Sequence, residues 1–449
     1  MKKTADTQTS KYQPANILAK LKKSSFFKNI IIVMSGSAVA QVLGFALTPI
    51  ISRLFSPSEF GIFGSFNAVA TIIAAGVTLE YSSAILLPKE KEIAINLLAL
   101  SVSCTLAVGL LCLMFSLIVP ATVNGLMQTR GAWPLALLVL ATLVAGVNST
   151  CQCWAIRAKA FKHTSASQVI RSIASGGLRI GAGYLKRGAA GLIISNILAN
   201  ALASINLVRV LLPDLLALRG RVRWGLMKRL AKDYGDFPMY SASQNVINAL
   251  STGLPVLLLT RYYGISVAGA YAFGVSAIQV PMSFVLTALK QVLFQKACEI
   301  EHQGGRLGSL YVRTTAGLFA MALLPSLILL IWAPQLFTWV FGSKWHMAGE
   351  LTRSLVLWYV FVFCNLPATL FARIIRIQGF VFLYNLALLA ARTLALVLGG
   401  LYFSAPQTVT LFSLVGAVMN AFLIYHVGRA VLKKEGSVDI ENTPDFMNE

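Results

Sequence analysis

The chain consists of long apolar runs separated by short polar connections. Most of these runs are long enough to cross a bilayer as a helix, which takes about 20 residues. The pattern predicts an all-α integral membrane protein with about twelve transmembrane helices, six in each half. The predicted spans are residues 29–54, 60–87, 93–120, 132–155, 165–185, 189–208, 238–260, 266–295, 309–341, 350–372, 379–402 and 406–428.

Two short segments, 208 residues apart, resemble each other and lie at matching places in this pattern. Each closes one apolar run, opens the next, and places a glycine eight residues after an arginine. The segments are SRLFSPSEFGIF at 52–63, with Arg53 and Gly61, and TRYYGISVAGAY at 260–271, with Arg261 and Gly269. Related halves of this kind are typical of transporters. We therefore predict two pseudo-symmetric six-helix lobes, with these four residues in a structural or gating motif.

Prolines interrupt two helices at nearly equivalent places of the two halves. Pro49 lies in the first predicted span and Pro255 in the seventh. A proline inside a membrane helix permits bending, because neighbouring groups can satisfy the freed carbonyls. Paired breaks in matched helices are consistent with gating elements, and also with static kinks.

The composition agrees with a membrane protein. Of the 449 residues, 57% are hydrophobic and 12% charged, with a mean hydropathy of +0.72, whereas soluble domains carry about 25% charged residues. The continuous apolar runs exclude a β-barrel, whose strands alternate over ~10 residues. Scattered Cys and His residues, and the lack of Walker A, G-x-S-x-G and H-E-x-x-H sequences, predict no metal site, no cofactor and no enzyme.

The net charge of +22 is mainly a signal of orientation. With a cytoplasmic N-terminus, 26 of the 38 Lys and Arg residues lie in cytoplasmic segments and six outside. This bias follows the positive-inside rule and predicts that both termini are cytoplasmic; we do not expect nucleic-acid binding. The predicted organisation is a basic N-terminus at 1–28, an N-terminal lobe at 29–208, a basic cytoplasmic linker at 209–237, a C-terminal lobe at 238–428 and a cytoplasmic tail at 429–449.

Six cations fall within the predicted spans, where an ionisable group costs several kcal/mol unless it pairs or faces water. They are Arg171, Arg179, Lys290, Arg313, Arg353 and Arg392. Arg313 and Arg353 lie near span ends, from which they can reach lipid headgroups. Arg171 and Arg179 are eight residues apart, close to two helical turns, and are predicted to share a face. Because acids are few in the spans, we predict a central cationic cavity that suits a phosphate or diphosphate, for which Arg offers bidentate donors.

Glu80 is the carboxylate that lies clearly inside a predicted span. Its span is the second, and the matching span of the other half carries Lys290. One hypothesis is a salt bridge between these two residues across the interface of the lobes. The other is a carboxylate that couples transport to a proton or another cation. The two roles are compatible.

The segment 48–101 resembles the opening of bacterial polysaccharide biosynthesis membrane proteins. These are the Wzx-type O-antigen or repeat-unit flippases of the multidrug/oligosaccharidyl-lipid/polysaccharide exporter (MOP) superfamily. The pieces that carry the resemblance are Ser52-Arg53-Leu54, Pro57, Phe60-Gly61, Glu80 and Leu86-Leu87-Pro88-Lys89, with weaker support from TRYYG at 260–264 and VLFQKACE at 292–299. Gln295 departs from the family, which usually has a proline there.

The resemblance implies a two-lobed flippase of the bacterial inner membrane that works by alternating access coupled to an ion gradient. Its cargo would be an undecaprenyl-diphosphate-linked oligosaccharide, and its partners the lipid bilayer, with a glycan polymerase and a chain-length regulator as further candidates. The alternatives are a lipid II-type flippase and a multidrug or organic-cation exporter of the same superfamily. An exporter of cations would need carboxylates in the membrane, of which Glu80 is the clear example.

Overall fold

The computed structural model describes residues 25–129, 131–302 and 305–441, and throughout these ranges the chain forms helices and connecting turns without strands. Twelve long helices follow the order of the predicted spans. They are α1 (Ser25–Leu54), α2 (Pro57–Gly76), α3 (Lys91–Ile118), α4 (Trp133–Arg157), α5 (Phe161–Tyr184), α6 (Gly188–Leu218), α7 (Ser243–Tyr263), α8 (Ile265–His302), α9 (Leu307–Phe341), α10 (His346–Cys364), α11 (Gln378–Tyr402) and α12 (Ala405–Glu441).

Ten membrane-spanning segments are long and apolar enough to cross a bilayer within the described part of the chain. They correspond to every long helix except α5 and α7, with α10 continued by the short helix Leu366–Ile374. At 24 and 21 residues, α5 and α7 have sufficient length but are more polar. The chain is therefore a multi-pass helical membrane protein, and a total of twelve crossings stays a prediction.

Several boundaries differ from the sequence prediction. The predicted second span divides, because α2 ends at Gly76 and Leu79 and Glu80 adopt positive φ angles of 48° and 60° before a short helix at Tyr81–Ala84. Helix α6 continues into the predicted linker as far as Leu218. The linker then contains a helix at Trp224–Asp233. Most of the predicted basic N-terminus (1–24), the end of the tail (442–449) and position 130 lie outside the described residues.

The two halves repeat the same helix packing. In the N-terminal lobe α1 packs on α5, α3 on α4, and both α4 and α5 on α6. In the C-terminal lobe α7 packs on α11, α9 on α10, and both α10 and α11 on α12. The lobes meet where α2 contacts α7 and α8, and where α1 contacts α8. The predicted pair of six-helix lobes is thus present in the structure.

The repeated glycines lie where the two lobes cross. A Cβ on Gly61 would lie 2.0 Å from the carbonyl oxygen of Ile265, and one on Gly269 would lie 1.8 Å from that of Pro57. Pro57 and Ile265 begin α2 and α8, so each glycine contacts the first residue of the opposite helix. Only a residue without a Cβ permits so close an approach. The repeat found in the sequence is therefore a reciprocal crossing of the two lobes.

The same end of the bundle is closed by a tryptophan. Trp345, between α9 and α10, donates its indole N–H to the carbonyl of Ser52 at 2.8 Å. Its ring stacks on Phe273 with centroids 3.9 Å apart and meets Phe60 edge-on. Ser52 in turn donates to the carbonyl of Phe341 at 3.2 Å. We call this the outer end, because the charge pattern predicts that it faces the periplasm.

Candidate substrate cavity between the lobes

A cavity of about 600 Å³ lies between the lobes, below the outer end. Helices α1, α2, α5 and α6 of one lobe and α7, α8, α10 and α11 of the other contribute to its wall. Its volume is within the range of ~300–1,000 Å³ that is common for ligand pockets. The charged residues that line it, within the described chain, are Arg179 and Arg392. The predicted central cationic cavity is therefore found, with two of the six predicted cations in its wall.

Arg179 enters the cavity from α5. Its guanidinium carbon lies 5.1 Å from the centre of the Phe63 ring, a cation–π distance. Its Nε is buried and has no hydrogen-bond acceptor in the described chain. Helix α5 packs closely on α1, where a Cβ on Gly176 would lie 2.3 Å from Leu47 and one on Gly183 would lie 2.8 Å from Leu54.

Arg392 enters from α11 and is 6% exposed. Its guanidinium is held between two rings, with 3.9 Å to the centre of Trp358 and 3.9 Å to that of Phe412. The Nε and Nη2 atoms are buried without an acceptor in the described residues. Aromatic faces stabilise the charge but accept little of its hydrogen-bonding capacity. The site therefore keeps a fixed positive charge with unused donors beside the cavity.

The two arginines have equivalent positions in the two lobes. Helices α5 and α11 occupy matching places, since they pack on α1 and α7 respectively. The repeated segments contribute an aromatic residue to the cavity wall from each lobe, because Phe63, which contacts Arg179, and Tyr271 both line it. Phe63 and Tyr271 are aligned in the repeat. Sequence reasoning paired these aromatic residues with each other but did not connect them with the arginines.

The other four predicted cations lie elsewhere. Arg171, Lys290, Arg313 and Arg353 are exposed, and none lines the central cavity. For Arg171 the reason is geometric, because eight residues at 3.6 per turn leave it about 80° around the helix from Arg179. Arg313 and Arg353 lie within about two turns of the starts of α9 and α10, as expected of residues that reach headgroups. Their predicted role in binding is not supported by this arrangement.

Glu80 bonds across the interface of the lobes, but not to Lys290. One carboxylate oxygen accepts a hydrogen bond from the Asn245 amide at 2.8 Å, and the other accepts from the Ser83 hydroxyl. Lys290 is exposed on α8. The left-handed turn at Leu79 and Glu80 takes the chain off the axis of α2 and brings the carboxylate to α7. The predicted salt bridge is therefore absent from this conformation, whereas a role in coupling stays a prediction.

We expect Glu80→Ala and Asn245→Ala to slow transport by similar amounts, about fivefold, because a hydrogen bond contributes ~1 kcal/mol and this one joins the lobes in one conformation. The double variant should be no slower than either single variant, since residues in direct contact act non-additively. Lys290→Ala is the control and should transport normally. Recovery of activity when Glu80→Lys is combined with Lys290→Glu would contradict this pairing.

Both predicted proline breaks lie beside the cavity. Pro49 follows Thr48 in α1, and Pro255 precedes Val256 in α7. Thr48 and Val256 are both part of the cavity wall. A gating role requires such prolines at matched helices of the two lobes. That role stays a prediction. Arg53 and Arg261, at the ends of the same helices, are exposed at the outer end.

No three His, Cys, Asp or Glu side chains come close enough to hold a metal ion among the residues that the structure describes. The expected lack of a metal or cofactor stays a prediction. The chemistry of the cavity wall is therefore that of two guanidinium groups, aromatic rings and neutral polar side chains. Such a site can hold an anion electrostatically and through hydrogen bonds.

Two lobes of membrane helices around a shared cavity define a transporter-type membrane protein. The chain belongs to the polysaccharide biosynthesis protein family, whose sequence model matches residues 50–350. A comparison with curated protein sequences gives no match.

Solved structures show the same fold. The chain is similar to the lipid II flippase MurJ in its inward closed conformation, with a TM-score of 0.73, 10% identity, and coverage of 92% of this chain and 94% of that one. It is also similar to a multidrug resistance MATE family transporter of the MOP superfamily in its inward-facing conformation, with a TM-score of 0.67, 17% identity, and coverage of 88% and 96%. An outward-facing conformation of a MATE transporter of that superfamily gives a TM-score of 0.55 at 16% identity, with coverage of 93% and 98%.

Proposed function

We propose that the protein is a flippase that moves undecaprenyl-diphosphate-linked oligosaccharide repeat units across the bacterial inner membrane. The observation that carries the proposal is the pair Arg179 and Arg392 in one cavity between the lobes, each with donors that no protein group accepts in the described chain. A diphosphate supplies several charged oxygens at short distance from each other, and guanidinium groups bind such oxygens with paired hydrogen bonds.

The same cavity disfavours an exporter of organic cations. Its wall, as far as the structure describes it, combines two guanidinium groups with no carboxylate. A cationic drug would meet like charge in an environment of low dielectric, where repulsion is strong. A lipid II-type flippase stays an alternative, because its cargo also carries a polyprenyl diphosphate. The mass of the accumulated lipid distinguishes a repeat-unit flippase from a lipid II-type flippase.

The geometry also supports alternating access. The outer end is closed by the glycine crossing and by Trp345, as an inward-facing state requires. In this proposal the structure receives cargo from the cytoplasmic leaflet. The sugars enter the cavity, while the polyprenyl tail stays in lipid between the lobes. Both termini are cytoplasmic, and an ion gradient drives the return.

The test is the lipid-linked oligosaccharide of a strain that lacks the protein. We expect undecaprenyl-diphosphate-linked repeat units to accumulate on the cytoplasmic face, with loss of surface glycan, and mass spectrometry of the accumulated lipid identifies the cargo. Expression of the wild-type protein should restore export. Normal surface glycan together with increased sensitivity to cationic dyes would contradict the proposal and favour the exporter.

A further inference from the structure

A second cavity, of about 260 Å³, lies inside the N-terminal lobe between α2, α4 and α6. It shares the wall residues Asn67, Thr71 and Asn196 with the central cavity, so the two cavities adjoin. Its volume is below the ~300–1,000 Å³ of pockets for whole drug-sized ligands, which suits one part of a larger cargo. We call it the amide pocket.

The lining of the amide pocket is rich in carboxamides and carries no charge among the described residues. Its amides come in pairs four residues apart on α4 and α6, and α2 adds an amide with a threonine at the same spacing, so each helix turns one polar stripe into the pocket. These residues are Asn67, Thr71, Asn148, Gln152, Asn196 and Asn200, with Ser149 beside them.

Three of the amides have unused hydrogen-bonding capacity. Asn148 donates to the Ser204 hydroxyl at 2.8 Å, and Asn200 donates to a carbonyl one turn earlier in α6. The side chains of Asn67, Gln152 and Asn196 make no hydrogen bond to any residue that the structure describes. A carboxamide offers two donors and an acceptor, and a sugar hydroxyl is likewise both donor and acceptor. Neutral amides in a concave site therefore match a carbohydrate better than an anion or an apolar chain.

The C-terminal lobe has a cavity of about 510 Å³ between α8, α9 and α10, but its lining is almost entirely apolar and contains no carboxamide among the described residues. At the corresponding place Trp358 and Phe412 fill the space and pack on Arg392. Asn365, which directly follows α10, donates a hydrogen bond to the amide oxygen of Asn420 in α12. Both lobes thus contribute an arginine to the central cavity. Among the cavities described, the amide-lined one belongs to the N-terminal lobe.

We propose that the amide pocket is a carbohydrate subsite, which binds a sugar ring close to the diphosphate while Arg179 and Arg392 hold the phosphates. This proposal rests on the proposed function, since it assumes a diphosphate-linked glycan in the central cavity. Asn196 is placed for both tasks, because it lines the amide pocket and the central cavity that contains Arg179. A buried site that bonds hydroxyls discriminates strongly against a ligand that lacks them, because its own polar groups then stay unpaired.

The test compares the binding of two probes to the purified protein in detergent by calorimetry. One probe is a short polyprenyl diphosphate, and the other is the same diphosphate carrying one N-acetylglucosamine. We expect the wild-type protein to bind the sugar-bearing probe about tenfold more tightly. In Gln152→Met, which keeps side-chain size and lies outside the central cavity, the lost hydrogen bond should lower this preference about fivefold while the affinity for the sugar-free diphosphate stays unchanged.

The control variants separate this proposal from the proposed function. Asn385→Leu removes a half-buried amide that lines neither cavity and should keep the full sugar preference. Arg179→Ala should weaken both probes equally. Equal binding of the two probes by the wild-type protein would overturn the carbohydrate subsite alone, whereas binding of neither probe would overturn the diphosphate site as well. A sodium-dependent change of binding that disappears in Gln152→Met, with the sugar preference retained, would assign the amides to a cation and also overturn the subsite.

Discussion

Replacement of Arg179 or Arg392 by alanine is expected to reduce glycan export by about 10- to 100-fold, and replacement of both should abolish it. A charge-assisted hydrogen bond contributes ~1.5–3 kcal/mol, which corresponds to this factor. Lysine at either position should restore part of the activity, because it keeps the charge without the planar pair of donors. Surface glycan, normalised to the amount of protein in the membrane, is the measurement.

Arg171 and Arg313 provide matched controls for the charge itself. Both are exposed arginines on long helices and line no part of the central cavity. Their alanine variants should export glycan at the wild-type rate. Full export by the Arg179→Ala, Arg392→Ala double variant would show that the cavity charge has no part in transport, and the proposed binding mode would have to be abandoned.

Alanine at Gly61 or Gly269 is the second substitution with a large expected effect. The new methyl group would lie 2.0 or 1.8 Å from a backbone carbonyl oxygen of the opposite lobe. No side-chain rotation relieves such an overlap, so the lobes must separate at the outer end. We expect a strong loss of transport and a shift of the population toward conformations open at that end.

This shift can be measured by labelling with a membrane-impermeant thiol reagent. A cysteine placed at Ser276, which lines the central cavity, in a background free of other cysteines should react from outside in Gly269→Ala but not with Gly269 present. Gly317→Ala serves as the control, because a Cβ there meets no atom within 4 Å. Normal transport and no external labelling in both glycine variants would show that the crossing does not close the outer end.

The sequence predicted most of the helices because they are long apolar runs. It also identified the repeated segments that form the crossing of the lobes, because the crossing requires glycine in both halves. It could not decide which cations face the cavity. On a helix that is apolar nearly all round, as with α11, the pattern does not mark a face. The depth of Arg392 depends on Trp358 and Phe412, which come from two other helices.

The amide pocket has a recognisable pattern in the sequence, whereas the turn at Glu80 does not. The amide pairs Asn148 and Gln152, and Asn196 and Asn200, stand at helical spacing inside apolar spans, where neutral polar stripes are unusual. The position of the Glu80 carboxylate could not be predicted from the sequence, because a non-glycine residue with positive φ cannot be inferred from the residues around it. Glu80 and Lys290 would face each other at equivalent positions only if the predicted second helix were straight, and in the structure it divides at Gly76.

The low hydropathy of α5 and α7 has a consequence for how the chain enters the membrane during synthesis. Neither helix reaches the hydropathy of the ten apolar segments in the described chain, yet each is followed by a strongly apolar helix, α6 or α8. We therefore expect α5 to insert together with α6, and α7 with α8, as helical hairpins. Arg179 of α5 would then be shielded from lipid by protein from its first contact with the bilayer. The polarity of α5 and α7, which both contribute to the wall of the central cavity, would therefore also determine how the two lobes insert into the membrane.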